Sequence, residues 1–262
     1  MSTTATPNVV LYRGFPSKGT YVWSPFVIKL EARLRFAGLR YHVEQGSTSK
    51  APRGKVPYLE IAHGGESVSI GDSSLIVKHL IEADVCEDLN AKLSPSDRAR
   101  DATLRAFLED KLYFFGTYEK WNDNYYTMRS GVLSAVPWPL QILVGLLAYR
   151  SVSRTLYGQG TGRFTSEEVA GFRRESWEHI NALVTEVHLK SPDGQSPFWV
   201  LGGQTPSEAD SVVFGFIVAG LVCDAAPDTQ NIINGYPALT DYAERIHRQY
   251  FSEYSAWKGM KE

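Results

Sequence analysis

The sequence predicts an α+β chain in two parts, a small strand-and-helix unit followed by an all-helical region. Three observations carry this. Strand-like and helix-like runs follow one another as β-α-β and then β-β-α up to about residue 86, and beyond that only helical periodicity remains. Pro57 stands inside the apolar run Val56-Pro57-Tyr58-Leu59, where a proline cannot donate to a sheet ladder and needs an edge or an unusual turn. Gly71-Asp72-Ser73-Ser74 then leads from a strand-like run straight into a helical one.

Taken in order, Val9 to Tyr12 is a buried strand, and a loop from Phe15 to Trp23 follows. Val27, Leu30, Leu34 and Ala37 recur at helical spacing, with Ser24 as N-cap, Pro25 at the first helical position and Gly38 as the stop. Glu31 is placed to pair with Arg35 one turn on, and Lys29 falls on the polar, solvated face. Tyr41 to Glu44 is a second strand; Tyr58–Ala62 and Val68–Ile70 flank His63-Gly64-Gly65-Glu66 as a hairpin, and a helix runs from Ser74 to about Ala83. This order is that of a thioredoxin-like unit.

After the polar link Glu87–Lys92, Ser94-Pro95 opens a long helix through Leu104, Leu108, Leu112 and Phe115. Thr165 with Glu168, and Ser207 with Asp210, are capping boxes ahead of two further apolar stripes. Leu239, Ala243, Ile246 and Tyr250 stripe a last helix. The expected division is a flexible tail over 1–8, a strand-and-helix domain over 9–86 and a helical domain over 94–262.

The chemistry concentrates around Pro57 and Asp72. A cis Val56-Pro57 bond meets the demand for an unusual turn and aims the Val56 backbone outward, where it can pair with an extended peptide. Asp72 supplies a carboxylate, Ser73 a hydroxyl, and the new helix a cluster of free N–H groups. One side of such a pocket wants an α-ammonium and the other an α-carboxylate, the two ends of a γ-glutamyl group. Glutathione is therefore the first ligand to consider.

With its surroundings this pattern resembles the glutathione transferase superfamily, and within it the metaxin-like and Fax-like branch. The resemblance rests on Ser24-Pro25-Phe26-Val27-Ile28-Lys29-Leu30-Glu31, Ala51-Pro52-Arg53-Gly54-Lys55-Val56-Pro57, Gly158-Gln159-Gly160-Thr161-Gly162-Arg163, Leu201-Gly202-Gly203, Pro206-Ser207-Glu208-Ala209-Asp210 and Tyr236-Pro237-Ala238-Leu239. It covers residues 9 to 251 and implies a thioredoxin-like domain docked on an all-helical transferase domain. It also implies glutathione as co-substrate, held by Lys55, Val56, Pro57, Asp72 and Ser73, with Arg53 a lesser choice for the glycyl carboxylate. Ser24 occupies the position where related classes carry Ser or Cys. A hydroxyl at a helix N-terminus that donates to the glutathione sulfur would lower the thiol pKa. Tyr21, Ser17 and Tyr12 are rivals for that role, and the N-cap reading of Ser24 stands beside it.

Tyr21, Tyr118 and Tyr125 are the expected lining of a pocket for an apolar electrophilic acceptor, among aromatics that otherwise serve packing. The implied activity is transfer of glutathione to that acceptor. The alternative is a non-catalytic binding or adaptor protein of metaxin/Fax type. An intact Pro57, an intact Asp72-Ser73 pair and no anchor after Tyr250 favour the enzyme. A homodimer is left open.

Composition excludes several other classes. A net charge of −2 over 262 residues offers no electrostatic footprint for nucleic acid or anionic lipid. Cys86 and Cys223 have no CxxC or zinc spacing and point to a reducing compartment, while six scattered histidines imply no metal site. The polar, threonine-rich tail Met1–Asn8 is no signal peptide, and the expected location is the cytoplasm. Val132–Ala148 is apolar but interrupted by Pro137, Pro139 and Gln141, and is expected to be a buried helix or an interfacial segment rather than a membrane span.

Overall fold

The computed structural model describes residues 8–63, 66–191, 194 and 196–260. Strand β1 (Asn8–Tyr12) is central to a four-stranded sheet of order β2-β1-β3-β4, with β2 at His42–Glu44, β3 at Tyr58–His63 and β4 at Glu66–Gly71. β2 pairs with β1 in parallel, and the other two pairings are antiparallel. Asn8, counted with the tail on sequence grounds, pairs with Ala62 and opens β1. The rest of the tail and the Gly64-Gly65 turn lie outside the described residues.

Alternation along β1 and β3 decides which face is covered. Val9, Leu11, Leu59 and Ile61 point to one side, where Leu30 and Leu34 of α1 (Pro25–Phe36) and Ile76, Val77 and Leu80 of α2 (Ser73–Glu82) close a dry core. On the other side Tyr12 stacks on Tyr58 with ring centroids 4.3 Å apart.

Helix α1 serves two cores at once. Its opposite flank, Val27, Ile28 and Ala32, packs into the larger helical core built on α8 (Glu208–Val222), whose residues from Ala209 to Leu221 are all buried. The approach is close enough that a Cβ on Gly215 would stand 2.8 Å from the backbone of Lys29 and Pro25. Any side chain there must push the sheet unit off the helices.

The remaining helices are α3 (Pro95–Phe107), α4 (Tyr113–Tyr118), α5 (Tyr125–Val132), α6 (Trp138–Gln159), α7 (Ser166–Lys190), α9 (Pro227–Asn234) and α10 (Pro237–Tyr250). The single long helix expected after Ser94 is broken by π-type turns at Leu108–Leu112 and Glu119–Asp123. Each turn adds a residue to the ladder and re-aims the face that follows. The second buries Glu119, whose carboxylate accepts from the Asp228 and Thr229 N–H groups and so caps α9.

Both capping boxes form as expected. Thr165 Oγ1 accepts from Glu168 N–H while Glu168 accepts from Thr165 N–H. Asp210, fully buried, accepts from Ser207 N–H, Ser207 Oγ, Val200 N–H and the Tyr242 hydroxyl. The added bonds to Val200 and Tyr242 anchor a box that lacks the usual apolar staple. Burial pushes the Asp210 carboxyl pKa up, with those hydrogen bonds pulling the other way.

Two expectations are overturned and a third is narrowed. Glu31 does not pair with Arg35: it is buried, 3.3 Å from Arg13 Nε, and takes the Tyr254 hydroxyl at 2.6 Å, while Arg35 reaches Tyr41 and Glu253. Lys29 is not solvated but buried between the two units. Of the two expectations for Val132–Ala148, the buried helix is excluded and the interfacial segment is not: the first half of α6 is largely exposed, with Leu143 57% and Leu147 56% accessible. Among the described residues no single helix is long and apolar enough to cross a membrane.

Candidate functional site

Strand register gathers the predicted site at one end of the sheet. Tyr12, the last residue of β1, pairs with Tyr58 at the start of β3, and Tyr58 pairs with Gly71 at the end of β4. Pro57 immediately precedes that rung and Asp72 immediately follows it. The chain leaving β1 turns through the Gly14–Trp23 loop to Ser24, where α1 begins its return. The N-termini of α1 and α2 and the Val56–Pro57 turn therefore share one sheet edge.

The Val56–Pro57 peptide is cis. Val56 rests on Gly14, which has φ +79° and where a Cβ would come within 3.0 Å of a Val56 methyl. Glycine at 14 thus allows the loop after β1 to pass beneath the turn. Lys55 and Arg53 are exposed, and the Arg53 stem lies against Gly71 beside Asp72.

Asp72 is the N-cap of α2 and has a φ of +81°, a region that few side-chain-bearing residues enter. Its Oδ1 accepts from Ser74 N–H at 3.0 Å and Leu75 N–H at 3.1 Å. Both bonds use the same oxygen, so the exposed carboxylate can cap the helix and still offer Oδ2 to a cation. Ser73, 4% exposed, is the first residue of α2.

Ser24 is the N-cap residue of α1 by backbone geometry, its carbonyl accepting from Ile28 N–H at 3.2 Å. Its hydroxyl makes no capping bond. The half-buried side chain at a helix N-terminus can therefore direct its proton elsewhere.

The rival hydroxyls stand differently. Tyr21 is buried among Phe214, Phe251, Tyr254 and Trp257, with its hydroxyl 2.7 Å from His247 Nδ1, so it packs the core instead of lining a cleft. Tyr12 donates to Glu60 at 2.8 Å, and that bond, with burial adding, pushes its pKa up to about 12. Ser17 is exposed in the loop, its carbonyl held by Arg13.

The two helical tyrosines are also spoken for. Tyr118 sits with Leu156 and Val169 and lies 3.2 Å from Ser166 Oγ, inside the helical region and not between the two units. Tyr125 packs on Tyr126 and Tyr149, at the junction of α5 and α6.

Other residues near the α1 N-terminus escaped the sequence reading. Trp23 packs against α5, where a Cβ on Gly131 would collide with its ring, and the Lys120 ammonium reaches the Trp23 carbonyl at 3.5 Å. Pro25, Tyr113, Gly116, Lys120 and Phe216 line a cleft of about 30 Å³ there. A larger groove of about 440 Å³ runs between α2 and the helices, past Lys29, Ser74, Arg105 and Glu208. Lys29 donates to Ser74 Oγ and pairs with Glu109, tying the first turn of α2 to the helical region. Neither Arg13 nor Lys29 carries a local signal of its role, because both partners lie far away in sequence.

Comparison with known proteins agrees with this architecture. Residues 25–127 match the model of the glutathione S-transferase N-terminal domain. The chain is 27% identical over 259 residues to an isoprene-epoxide glutathione S-transferase of Rhodococcus sp. (strain AD45), spanning 92% of this chain and 99% of that protein. It is 24% identical over 211 residues to Failed axon connections of Drosophila melanogaster, covering 74% of this chain but only 46% of that longer protein. A glutathione S-transferase from Rhodospirillum rubrum F11 shares the fold at a TM-score of 0.57 and 14% identity, over 97% of this chain and 95% of the other. The chain thus has the glutathione-transferase fold, and its residues 25–127 are similar to the N-terminal domain of that superfamily.

Proposed function

We propose that the protein binds glutathione at the shared sheet edge and transfers it to a small apolar electrophile, with a strained epoxide as the acceptor class to test first. The observation that supports the binding half is the register that pairs Tyr58, just after the cis Val56–Pro57 bond, with Gly71, just before Asp72. The γ-glutamyl ammonium meets Asp72 Oδ2, and its carboxylate meets the Ser73 N–H and hydroxyl at the start of α2. The cysteinyl backbone pairs with Val56, which directs the sulfur toward the N-terminus of α1.

The thiolate then attacks an epoxide carbon. A C–S bond forms, the C–O bond breaks, and the alkoxide takes a proton from water. The Ser24 hydroxyl and the α1 dipole favour thiolate over thiol before the attack. Support for an epoxide comes from the Rhodococcus relative, whose match runs nearly end to end on both chains. The rival reading is a glutathione-fold adaptor without turnover; the name of the relative Failed axon connections states no enzymatic activity.

Calorimetric titration with glutathione, followed by conjugation assays on a panel of epoxides and aryl halides, separates these. Binding with turnover supports the transferase. Binding without turnover on any electrophile favours the adaptor, and absence of binding overturns the transferase.

A further inference from the structure

The near-neutral net charge hides a segregated segment. From Tyr125 to Ser166 the chain has Arg129, Arg150, Arg154 and Arg163 but no Asp, Glu or Lys, in a protein with 29 acidic residues. Within it, Ser130 to Tyr149 carries no charge at all. Structurally this is the α5–α6 hairpin. Trp138 is 70% exposed, and Leu140, Ile142, Leu143, Val144, Leu146 and Leu147 are all exposed.

Their bearings identify the kind of partner. At 3.6 residues per turn, the exposed apolar positions from Trp138 to Leu147 spread over an arc of about 240°. The remaining side belongs to half-buried Gln141 and to Gly145, on which the Arg129 stem packs so closely that a Cβ would fall 2.5 Å from Arg129 Cδ. A partner helix or a second copy of the chain covers a single stripe, roughly 100° wide. An apolar helix bare on most of its circumference calls for a surrounding medium.

Its length limits the depth. Trp138 to Leu147 spans about 15 Å, half the ~30 Å of a bilayer core, so it can enter one leaflet and cannot cross. The ends of the segment suit an interface. Tyr126 and Trp138 are exposed amphipathic aromatics, and Arg129 lies over the Tyr125 and Tyr126 rings at 5.6 and 5.5 Å. Arg150 and Arg154 are exposed just past the apolar half of α6. With no carboxylate between Tyr125 and Ser166 to repel phosphate, the charge of the hairpin complements an anionic headgroup layer.

We propose that the α5–α6 hairpin docks the protein on an anionic lipid surface, with Trp138–Leu147 in the acyl boundary and Arg150 and Arg154 on lipid phosphates. The site is separate from the proposed glutathione edge and stands or falls independently of it.

Flotation of the full chain with vesicles of phosphatidylcholine alone, and of phosphatidylcholine mixed with phosphatidylglycerol, tests this. Binding is expected on the mixed vesicles and should weaken as salt rises. Arg150→Gln with Arg154→Gln should reduce that binding by about thirtyfold. Leu143→Asp with Leu147→Asp should abolish it while melting temperature stays within the wild-type range, since both side chains face solvent. Light scattering on the same samples supplies the rival outcome. Absence of vesicle binding, or a concentration-dependent dimer that the Asp variant dissolves, would assign the face to self-association and overturn the proposal. Equal binding to both vesicle types would overturn its electrostatic half.

Discussion

Lys29 Nζ, on the first helix of the sheet unit, lies 2.5 Å from Glu109 Oε1 in the helical region and 3.2 Å from Ser74 Oγ at the start of α2. The Lys29 side chain is 5% exposed and that of Glu109 20%. An ion pair in such a setting does not by itself make the fold stable, because desolvating both charges offsets most of the attraction. Its effect is positional: it fixes the α2 N-terminus, and with it Asp72 and Ser73, relative to the helices.

Removing one partner should therefore be costly and removing both should not. Glu109→Ala leaves the Lys29 ammonium buried without its counter-charge and should cost about 3 kcal/mol in urea denaturation. The double change Lys29→Met with Glu109→Leu should recover most of that loss. A single variant as stable as the wild type would mean that Lys29 finds water or another acceptor.

Asp72 caps α2 and is the proposed partner of the glutamyl ammonium, and Asn can tell the two roles apart. Asp72→Asn keeps an oxygen for the Ser74 and Leu75 N–H groups, so stability should change little. It removes the negative charge, and glutathione affinity should fall by about 1.5–3 kcal/mol by calorimetry. Asp72→Ala should lose the same affinity and about 1 kcal/mol of stability besides. Undiminished affinity in a folded Asn variant would rule out the ammonium contact.

Much of this was legible locally. The cis peptide before Pro57, the Asp72 cap and the Thr165 and Ser207 boxes each depend on residues within a few positions of one another. What the sequence did not disclose depends on distant partners. Glu31 looked ready for Arg35 one turn away, but Arg13, folded inward to hold the Ser17 and Thr20 carbonyls, claims it instead. Tyr21 and Tyr118 have the amphipathic rings of lining residues, and nothing local reveals that His247 and Ser166 occupy their hydroxyls. The apolar run of α6 could not be placed either, since composition is the same for a buried helix and an exposed one.

The Tyr21–His247 pair predicts a pH response. His247 is 5% exposed, and burial, with Arg248 adding and Glu253 opposing, holds its pKa below the ordinary 6.5. The neutral ring shares a hydrogen bond with the Tyr21 hydroxyl at Nδ1. A depressed folded-state pKa means the unfolded chain binds the proton first. Stability from this pair is therefore complete above pH 6.5 and declines as pH falls below it, by at most about 1.4 kcal/mol per pH unit. Urea midpoints between pH 5 and 8 should show that slope in the wild type. His247→Gln, which can accept the hydroxyl but cannot titrate, should flatten it. An identical slope in the variant would assign the response to another group.

The last prediction concerns Ser24 and whether the protein activates a thiol. Because the Ser24 hydroxyl makes no capping bond, Ser24→Ala should leave the melting temperature nearly unchanged. This differs from an ordinary N-cap serine, whose loss costs about 1 kcal/mol. If the hydroxyl donates to the glutathione sulfur, the same change should raise the bound thiol's pKa toward its free value. The pH–rate curve for conjugation would then move to the alkaline side, each pKa unit matching about 1.4 kcal/mol of lost thiolate preference. Glutathione affinity should hold, since in the proposed pose Asp72, Ser73 and the Val56 backbone grip the other end of the tripeptide. Ultraviolet titration of the thiolate in wild type and variant reads this directly. An unshifted curve with unchanged stability would remove Ser24 from the chemistry and direct attention to Ser17 and to the Lys120 ammonium beside Trp23. A wild-type protein that binds glutathione without depressing its thiol pKa would favour the adaptor over the enzyme.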